Sequence, residues 1–270
     1  DSYQPAEQRY RLARGLLELA REKKLCAHVL TKSASVERDF DVLQDIQREN
    51  QVIVSFSLQT HDDSVRERFE PGAATVKERL RVLERARALG FGGGIMAMPF
   101  LPGISDRPLA IQSLVEAARD AGAQFFVYGG LTLRPGRQKE AYLEVIREHY
   151  PELVAGYERA YASERPSGAP DPRYPRKLER RVADVLGRCA LPIRIPRDLF
   201  QGHLPRYAEA SVLLEHEEAR RRLRGEPGES LGRAGQALAL WVKQRRTALF
   251  RRAGLSYLEL EREFSDRVRD

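Results

Sequence analysis

The sequence predicts an α/β fold built on a parallel sheet, and three observations carry that prediction. Short β-rich runs alternate with amphipathic segments along residues 1–150, the rhythm of βαβ units with helices of about 10–15 residues. The β-rich runs are apolar almost throughout, as expected of strands covered on both faces. Gly and Pro punctuate the alternation where an element must stop. Right-handed crossovers then leave two architectures open, a barrel-like sheet or a doubly wound one.

Arg9 to Lys24 reads as a helix, with Leu12, Leu16, Leu17 and Leu19 among its apolar positions. Ala27 to Leu30 is a short apolar run ending in Thr31-Lys32-Ser33. Phe40, Leu43, Ile46 and Gln47 recur at helical spacing, and Val52 to Leu58 is short and β-rich. Thr75 to Leu89 is an amphipathic helix with Val76, Leu80, Leu83 and Ala86 on one face, and Gly90 is placed to cap it. Gly93 to Phe100 is a strand, closed by Pro99, Leu101, Pro102 and Gly103. Leu109 to Ala121 is a helix stopped by Gly122, Gln124 to Leu133 a strand, and Gln138 to His149 a helix ending before Pro151.

The remainder has a different texture. Ala162 to Pro175 is rich in Pro, Gly and Ser and reads as a linker or long loop. Leu178 to Leu186 is a short helix. Leu191 to Phe200 cannot be a regular helix, because Pro192 and Pro196 interrupt it. Leu204 to Arg224 reads as helical, Gly225 to Gly232 as a break, and Gly235 to Arg252 as an amphipathic helix with Leu238, Trp241, Val242 and Leu249 on one face. The expected division is a sheet-bearing domain over 1–160 and a mainly helical, basic extension over 161–270.

No run of about 18 apolar residues exists, so no membrane span is expected. The first residues have neither a basic nor an apolar region of the secretory kind. Cys26 and Cys189 stand far apart. A disulfide framework or a self-contained thiolate metal site needs more cysteines. Two buried thiols in a reducing cytoplasm are therefore expected. The net charge is +7. Residues 1–159 carry 23 basic and 23 acidic side chains, and residues 160–270 carry 23 and 16, so the excess lies in the second part. Only seven of the basic residues are Lys. Arg suits bidentate phosphate contacts, but Arg-rich codon usage yields the same composition with no partner.

In parallel βα architectures, ligands sit at the C-terminal ends of the strands. That rule selects Lys32 and Ser33, then Ser55, Ser57, Gln59 and Thr60, then Met98 and Pro99, then Thr132 and Arg134. A Lys ending one strand and a Ser on the next could hold a carboxylate or phosphate; equally, Lys32 could be a solvated loop residue and the serines bond to backbone. His61-Asp62-Asp63 reads as a turn or helix N-cap rather than a metal site. His149, His203 and His216 stand alone in their neighbourhoods. Gly92-Gly93-Gly94 lacks dinucleotide-fingerprint spacing and precedes a strand, which points to a close backbone approach within the sheet. Arg220-Arg221-Arg222 with Arg224 reads as a solvated helix face, a phosphate patch being the minor alternative.

Five phrases, in order, resemble the radical S-adenosylmethionine superfamily and within it the spore photoproduct lyase-like branch, often labelled DNA repair photolyase. They are DSYQPAEQRYRLAR, HVLTKSASVERDFDVL, VSFSLQTHDDSVRERFEPGAATVKERL, GGIMAMPFLPGISD and LPIRIPRDLF. They cover roughly residues 1–200. The third carries a segment similar to that branch's EPxxPxxxxRL signature. The resemblance implies a partial (β/α)6 TIM-like barrel, with the four strands here corresponding to the third to sixth. It implies S-adenosylmethionine and a [4Fe–4S] cluster as cofactors, the reduced cluster cleaving S-adenosylmethionine to a 5′-deoxyadenosyl radical. The C-x3-C-x2-C motif that ligates the cluster in that family is not in this sequence, so its ligands are expected upstream of Asp1 and the chain alone is expected to be inactive. Asp1 matches the Asp near the cofactor's amino group, Lys32 and Ser57 the polar pair near its carboxylate and ribose, and Ala97, Met98 and Pro99 the strand lying along the adenine. DNA or another nucleic acid as substrate, and flavodoxin or ferredoxin as electron donor, are implied in the same way. Two other classes stay open: a non-catalytic nucleic-acid-binding module on a degenerate barrel, and an ordinary (β/α) barrel enzyme acting on a phosphorylated metabolite through Lys32.

Overall fold

The computed structural model describes residues 1–250 and 257–269. The chain divides into two compact units, Asp1–Pro196 and Arg197 onward.

In the first unit, α1 (Glu7–Tyr10) and α2 (Leu12–Glu22) precede β1 (Ala27–Thr31). A 3-10 turn over Ala34–Asp39 leads into α3 (Phe40–Gln47), then β2 (Val52–Ser57), α4 (Asp63–Phe69) and α5 (Val76–Ala88). β3 (Gly92–Phe100), α6 (Pro108–Asp120), β4 (Phe126–Gly130), α7 (Arg137–His149), α8 (Val154–Ala160) and α9 (Arg173–Cys189) follow. All three strand pairings are parallel, in the order β1-β2-β3-β4.

That sequential order decides between the two architectures. Right-handed crossovers between successive neighbours place every connecting helix on the same face, whereas a doubly wound sheet reverses direction and covers both. Val52, Val54 and Phe56 of β2, Ile95 and Ala97 of β3 and Phe126 of β4 face the helices and are almost fully buried with Val82, Leu83 and Ala86 of α5 and Ile111, Leu114 and Val115 of α6. The opposite face carries His28, Leu30, Ser55, Ser57, Gly94 and Met96, as the register shows. His28 and Leu30 are exposed there. The fold is α/β, a four-stranded parallel sheet of the partial barrel type.

Several elements follow directly from local chemistry. α5 begins with a capping box, in which the Thr75 hydroxyl accepts from the Glu78 N–H at 3.2 Å and the Glu78 carboxylate accepts from the Thr75 N–H at 2.8 Å. Gly90 follows α5 at φ 84°, the left-handed geometry that ends helices. Asp62 caps α4 through the Ser64 N–H at 2.8 Å, so the His61-Asp62-Asp63 run is a helix start.

Other expectations need correction. The helix predicted over Arg9–Lys24 is broken at Arg11, which adopts φ 50°. Of its apolar positions Leu17 is buried, but Leu12, Leu16 and Leu19 are exposed. α9 is longer than the predicted 178–186 because Pro172 and Pro175 flank its first turn, where a missing N–H costs nothing. β4 stops at Gly130, short of Leu133, and the chain beyond it pairs elsewhere: the Leu133 N–H donates to the Gly168 carbonyl at 2.8 Å. The Pro192 carbonyl accepts from the Phe126 N–H at 2.8 Å, so the irregular 191–196 stretch lies against the start of β4. Cys26 is exposed and Cys189 half-buried, not the two buried thiols expected. They sit where elements begin and end, one residue before β1 and at the last residue of α9.

The second unit holds α10 (Arg206–Leu223), α11 (Glu229–Phe250) and α12 (Tyr257–Arg269), the last not predicted. The predicted end of α11 at Arg252 and the Leu249 side chain lie outside the described residues. Trp241 and Tyr207 both contact the Phe264 ring, at 6.2 and 6.4 Å between centroids. The Arg220–Arg222 run is paired within its own helix: Arg220 and Arg221 share Glu217 at 2.5 and 3.0 Å, and Arg222 pairs with Glu218 at 3.7 Å. The Arg221 hydrogen bond holds the Glu217 carboxyl below its ordinary value. This is a solvated, internally paired face.

Candidate functional site

The strand ends selected from the sequence lie along one edge of one sheet, because parallel strands in sequential order all end on the same side. At the end of β1, both Asp1 carboxylate oxygens accept from the Thr31 hydroxyl, at 2.8 and 2.9 Å, and one accepts from the Lys32 N–H at 2.5 Å. Asp1 is held there by residues behind it. The Tyr3 phenol is buried and donates to Asp39 at 3.1 Å. Asp39 is fully buried and also pairs with Arg14 at 3.2 Å and Arg38 at 3.3 Å. Burial, reinforced by the Asp39 charge, pushes the Tyr3 phenol well above its usual range.

At the end of β2, Ser57 is half-buried and its carbonyl accepts from Arg79 Nη1 at 2.7 Å. Arg79 reaches this point from α5 and is completely buried. Its Nε donates to the Ala74 carbonyl at 2.8 Å and its Nη2 to Glu70 Oε2 at 2.9 Å. Glu70 is itself buried, and its other oxygen lies 2.8 Å from Lys32 Nζ. One guanidinium thus connects the ends of β1 and β2. Ser55 is not a strand-end group: it is fully buried within β2 and hydrogen-bonded to the His28 ring at 2.9 Å. Gln59 and Thr60 are buried, and the Thr60 hydroxyl accepts from the Asp62 N–H at 3.0 Å, a turn role. The Ser33 hydroxyl likewise accepts from Ser35 N–H at 3.2 Å at the start of a 3-10 turn.

At the end of β3, Ala97 is buried, Met98 exposed and Pro99 half-buried, with a cis bond between the last two and a register shift before Phe100. Thr132 and Arg134, after β4, are exposed. The chain after β3 and β4 is tied down by tyrosines whose phenols donate to its carbonyls. Tyr157 reaches Pro102 and Tyr161 reaches Leu131, both at 2.9 Å, and Tyr174 reaches Phe100 at 3.4 Å. Burial holds all three phenols above their usual range.

The edge therefore brings together Asp1, Lys32, Ser57 and the Ala97–Pro99 segment. It offers one partly exposed ammonium, a hydroxyl and a length of strand backbone, a set suited to an anionic or zwitterionic ligand with a flat apolar part. Sequence reasoning missed Glu70 and Arg79 as partners of the site, although both fall within the EPxxPxxxxRL-like segment. The residues of this chain do not fit a [4Fe–4S] cluster. Cys26 precedes β1, at the opposite end of the strand from Lys32, and among the described residues no group of three His, Cys, Asp or Glu converges.

Residues 7–115 match the Radical SAM superfamily. An uncharacterized protein of Mycobacterium tuberculosis (strain H37Rv) is 29% identical over 191 residues, covering 71% of this chain and 55% of the relative. An uncharacterized protein of Mycobacterium bovis has the same identity and coverage. An uncharacterized protein of Acidianus two-tailed virus is 32% identical over 102 residues, 38% of this chain and 33% of that protein. The chain thus spans about half the length of the mycobacterial relatives it matches. No solved structure matches. Among the described residues, no helix is long and apolar enough to cross a membrane.

Proposed function

We propose, for a chain whose residues 7–115 match the radical SAM superfamily, that the C-terminal edge of its sheet binds S-adenosylmethionine. The observation that carries this reading is the meeting of Lys32, Ser57 and Ala97–Pro99 on one edge, from three strands inside the matched region. Lys32 would hold the ligand's carboxylate, Ser57 its ribose, and the Ala97–Pro99 backbone its adenine. Asp1 would accept from its amino group, at the end of β1 where Thr31 and Lys32 already fix the carboxylate. When bound, S-adenosylmethionine supplies a sulfonium that one-electron reduction can cleave. The superfamily uses a [4Fe–4S] cluster for that reduction; the cluster's ligands would have to come from elsewhere in the complete protein.

The test is ligand affinity in the full-length protein by isothermal titration calorimetry. Lys32→Ala is expected to weaken S-adenosylmethionine binding about tenfold or more, the range of a charge-assisted hydrogen bond. Ser57→Ala is expected to weaken it about threefold. Iron content should be the same in both variants as in wild type. Unchanged affinity in both rejects these roles and favours the non-catalytic module or the ordinary barrel enzyme.

A specific observation also favours a nucleic-acid substrate, of the kind the spore photoproduct lyase-like branch implies. Arg173, Arg176, Lys177 and Arg180 are exposed at consecutive turns of α9, a spacing that lines cations along one side of a helix. The paired arginines of α10 offer no such stripe. Reversing Arg176, Lys177 and Arg180 to Glu is expected to weaken binding of a DNA oligonucleotide. It should also flatten the plot of log affinity against log salt by about 2–3, one phosphate contact per lost cation. An unchanged slope sinks this reading and leaves the first intact. In the complete protein, flavodoxin or ferredoxin is the proposed electron donor, and the cytoplasm the proposed compartment.

A further inference from the structure

We infer that Glu70, backed by Arg79, is the positioning residue that holds the Lys32 ammonium at the ligand site; the inference rests on the S-adenosylmethionine reading above. Three observations support it. First, Glu70 is buried and its two carboxylate oxygens are divided: Oε2 accepts from Arg79 at 2.9 Å, and Oε1 faces Lys32 Nζ at 2.8 Å. Second, the contact to Lys32 is an ion pair without hydrogen-bond geometry, so Oε1 is buried with no hydrogen-bond partner. Charge therefore holds the ammonium in place while its N–H donors are not committed to Glu70. Third, the lysine side chain is 41% exposed while both groups behind it are buried. The exposed member of the triad is the lysine.

The charge arrangement explains why the carboxylate does not simply compete with an anionic ligand. Arg79 has no exposure and already neutralises Glu70 from behind. Lys32, Glu70 and Arg79 together carry one net positive charge, and it is presented at the end of β1. A lysine has a long stem with many rotamers and loses entropy when a ligand fixes it. An ammonium already held near its working position loses less on binding. Arg79 adds geometry: the same guanidinium holds the Ser57 carbonyl at 2.7 Å, so the hydroxyl-bearing residue and the ammonium are braced against one group.

The experiment compares two ligands on variants of the full-length protein. S-adenosylmethionine carries the carboxylate that Lys32 would hold, and 5′-methylthioadenosine lacks the whole amino-acid part. Glu70→Gln keeps a side-chain acceptor for Arg79 but removes the charge that holds Lys32. Glu70→Asp keeps the charge beside Arg79 but shortens the reach to Lys32, and it serves if the Gln variant does not fold. Either is expected to weaken S-adenosylmethionine about two- to tenfold, the cost of newly immobilising a rotamer-rich side chain. Methylthioadenosine should bind as it does to wild type. In a Lys32→Ala background, the Glu70 substitution should cost nothing further, since its effect runs through the lysine. Equal losses for the two ligands would mark general damage to the site and overturn the inference, as would unchanged or tighter S-adenosylmethionine binding. Lys32→Ala with no effect of its own overturns the role given to Lys32 in the ligand-site reading and this inference with it. A loss in Lys32→Ala with neutral Glu70 variants overturns the inference alone.

Discussion

Replacing Arg79 by Leu is expected to destabilise the sheet-bearing unit by about 3–5 kcal/mol, the cost of removing one partner from a buried ion pair. The side chain has no exposure, and its substitution strands Glu70 as a buried charge and leaves the Ser57 and Ala74 carbonyls without their donor. Urea unfolding followed by far-UV circular dichroism measures the loss. Arg81→Leu is the control two residues on. Arg81 is exposed and pairs with Glu37 at 2.6 Å, an arrangement worth about 0–1 kcal/mol. Similar losses in the two variants would show that burial of the Glu70–Arg79 pair contributes nothing special. Pairing Arg79→Leu with Glu70→Leu should recover part of the stability, because no buried charge is then left unpaired.

Gly94→Val is expected to cost about 3 kcal/mol, the upper part of the range for overfilling a packed interior. A Cβ built at Gly94 would lie 2.5 Å from the Phe125 ring and 2.6 Å from the Phe125 carbonyl oxygen. A ring can turn away, but the carbonyl belongs to the chain entering β4, so relief requires moving a strand. Phe125→Leu should therefore fail to rescue Gly94→Val. Gly15→Ala, in the middle of α2 with nothing within 4 Å, should instead stabilise by about 0.5–1 kcal/mol. Thermal melts of the three variants check this pattern. A Gly94→Val protein as stable as wild type would mean that β3 and β4 are not as closely apposed as the structure has them.

The candidate site was legible in the sequence to the extent that it depends on strand ends. Lys32 and Ser57 were selectable because a β-rich run ends at each, and Met98 and Pro99 because Pro99 with Pro102 and Gly103 closes a third. Ser55 was selected by the same rule and proved buried. Position along a strand is visible in sequence, but the depth at which the neighbouring strand covers it depends on register. A close approach at the three consecutive glycines was also foreshadowed, but not which neighbours it would involve: Phe125 at Gly94, and Leu83 and Arg87 of α5 at Gly93. Glu70 and Arg79 were invisible as a functional pair. Each sits among many other charged residues, and periodicity cannot tell which of them will be buried.

The sequence by itself determined the number of strands and their succession along the chain, most of the helices between them, the Gly90 stop after α5 and the edge selected for a ligand. These are consequences of local rules: apolar runs, helical spacing, turn residues and the shared direction of parallel strands. Only the tertiary structure decided that the helices cover one face, that Arg11 and Gly130 end their elements early, and that Lys32, Glu70, Arg79 and Ser57 form one connected set. Those facts rest on contacts between residues tens of positions apart. Such contacts are chosen by register and by the cost of burying a charge without its partner, and neither is written in the spacing of residues along the chain.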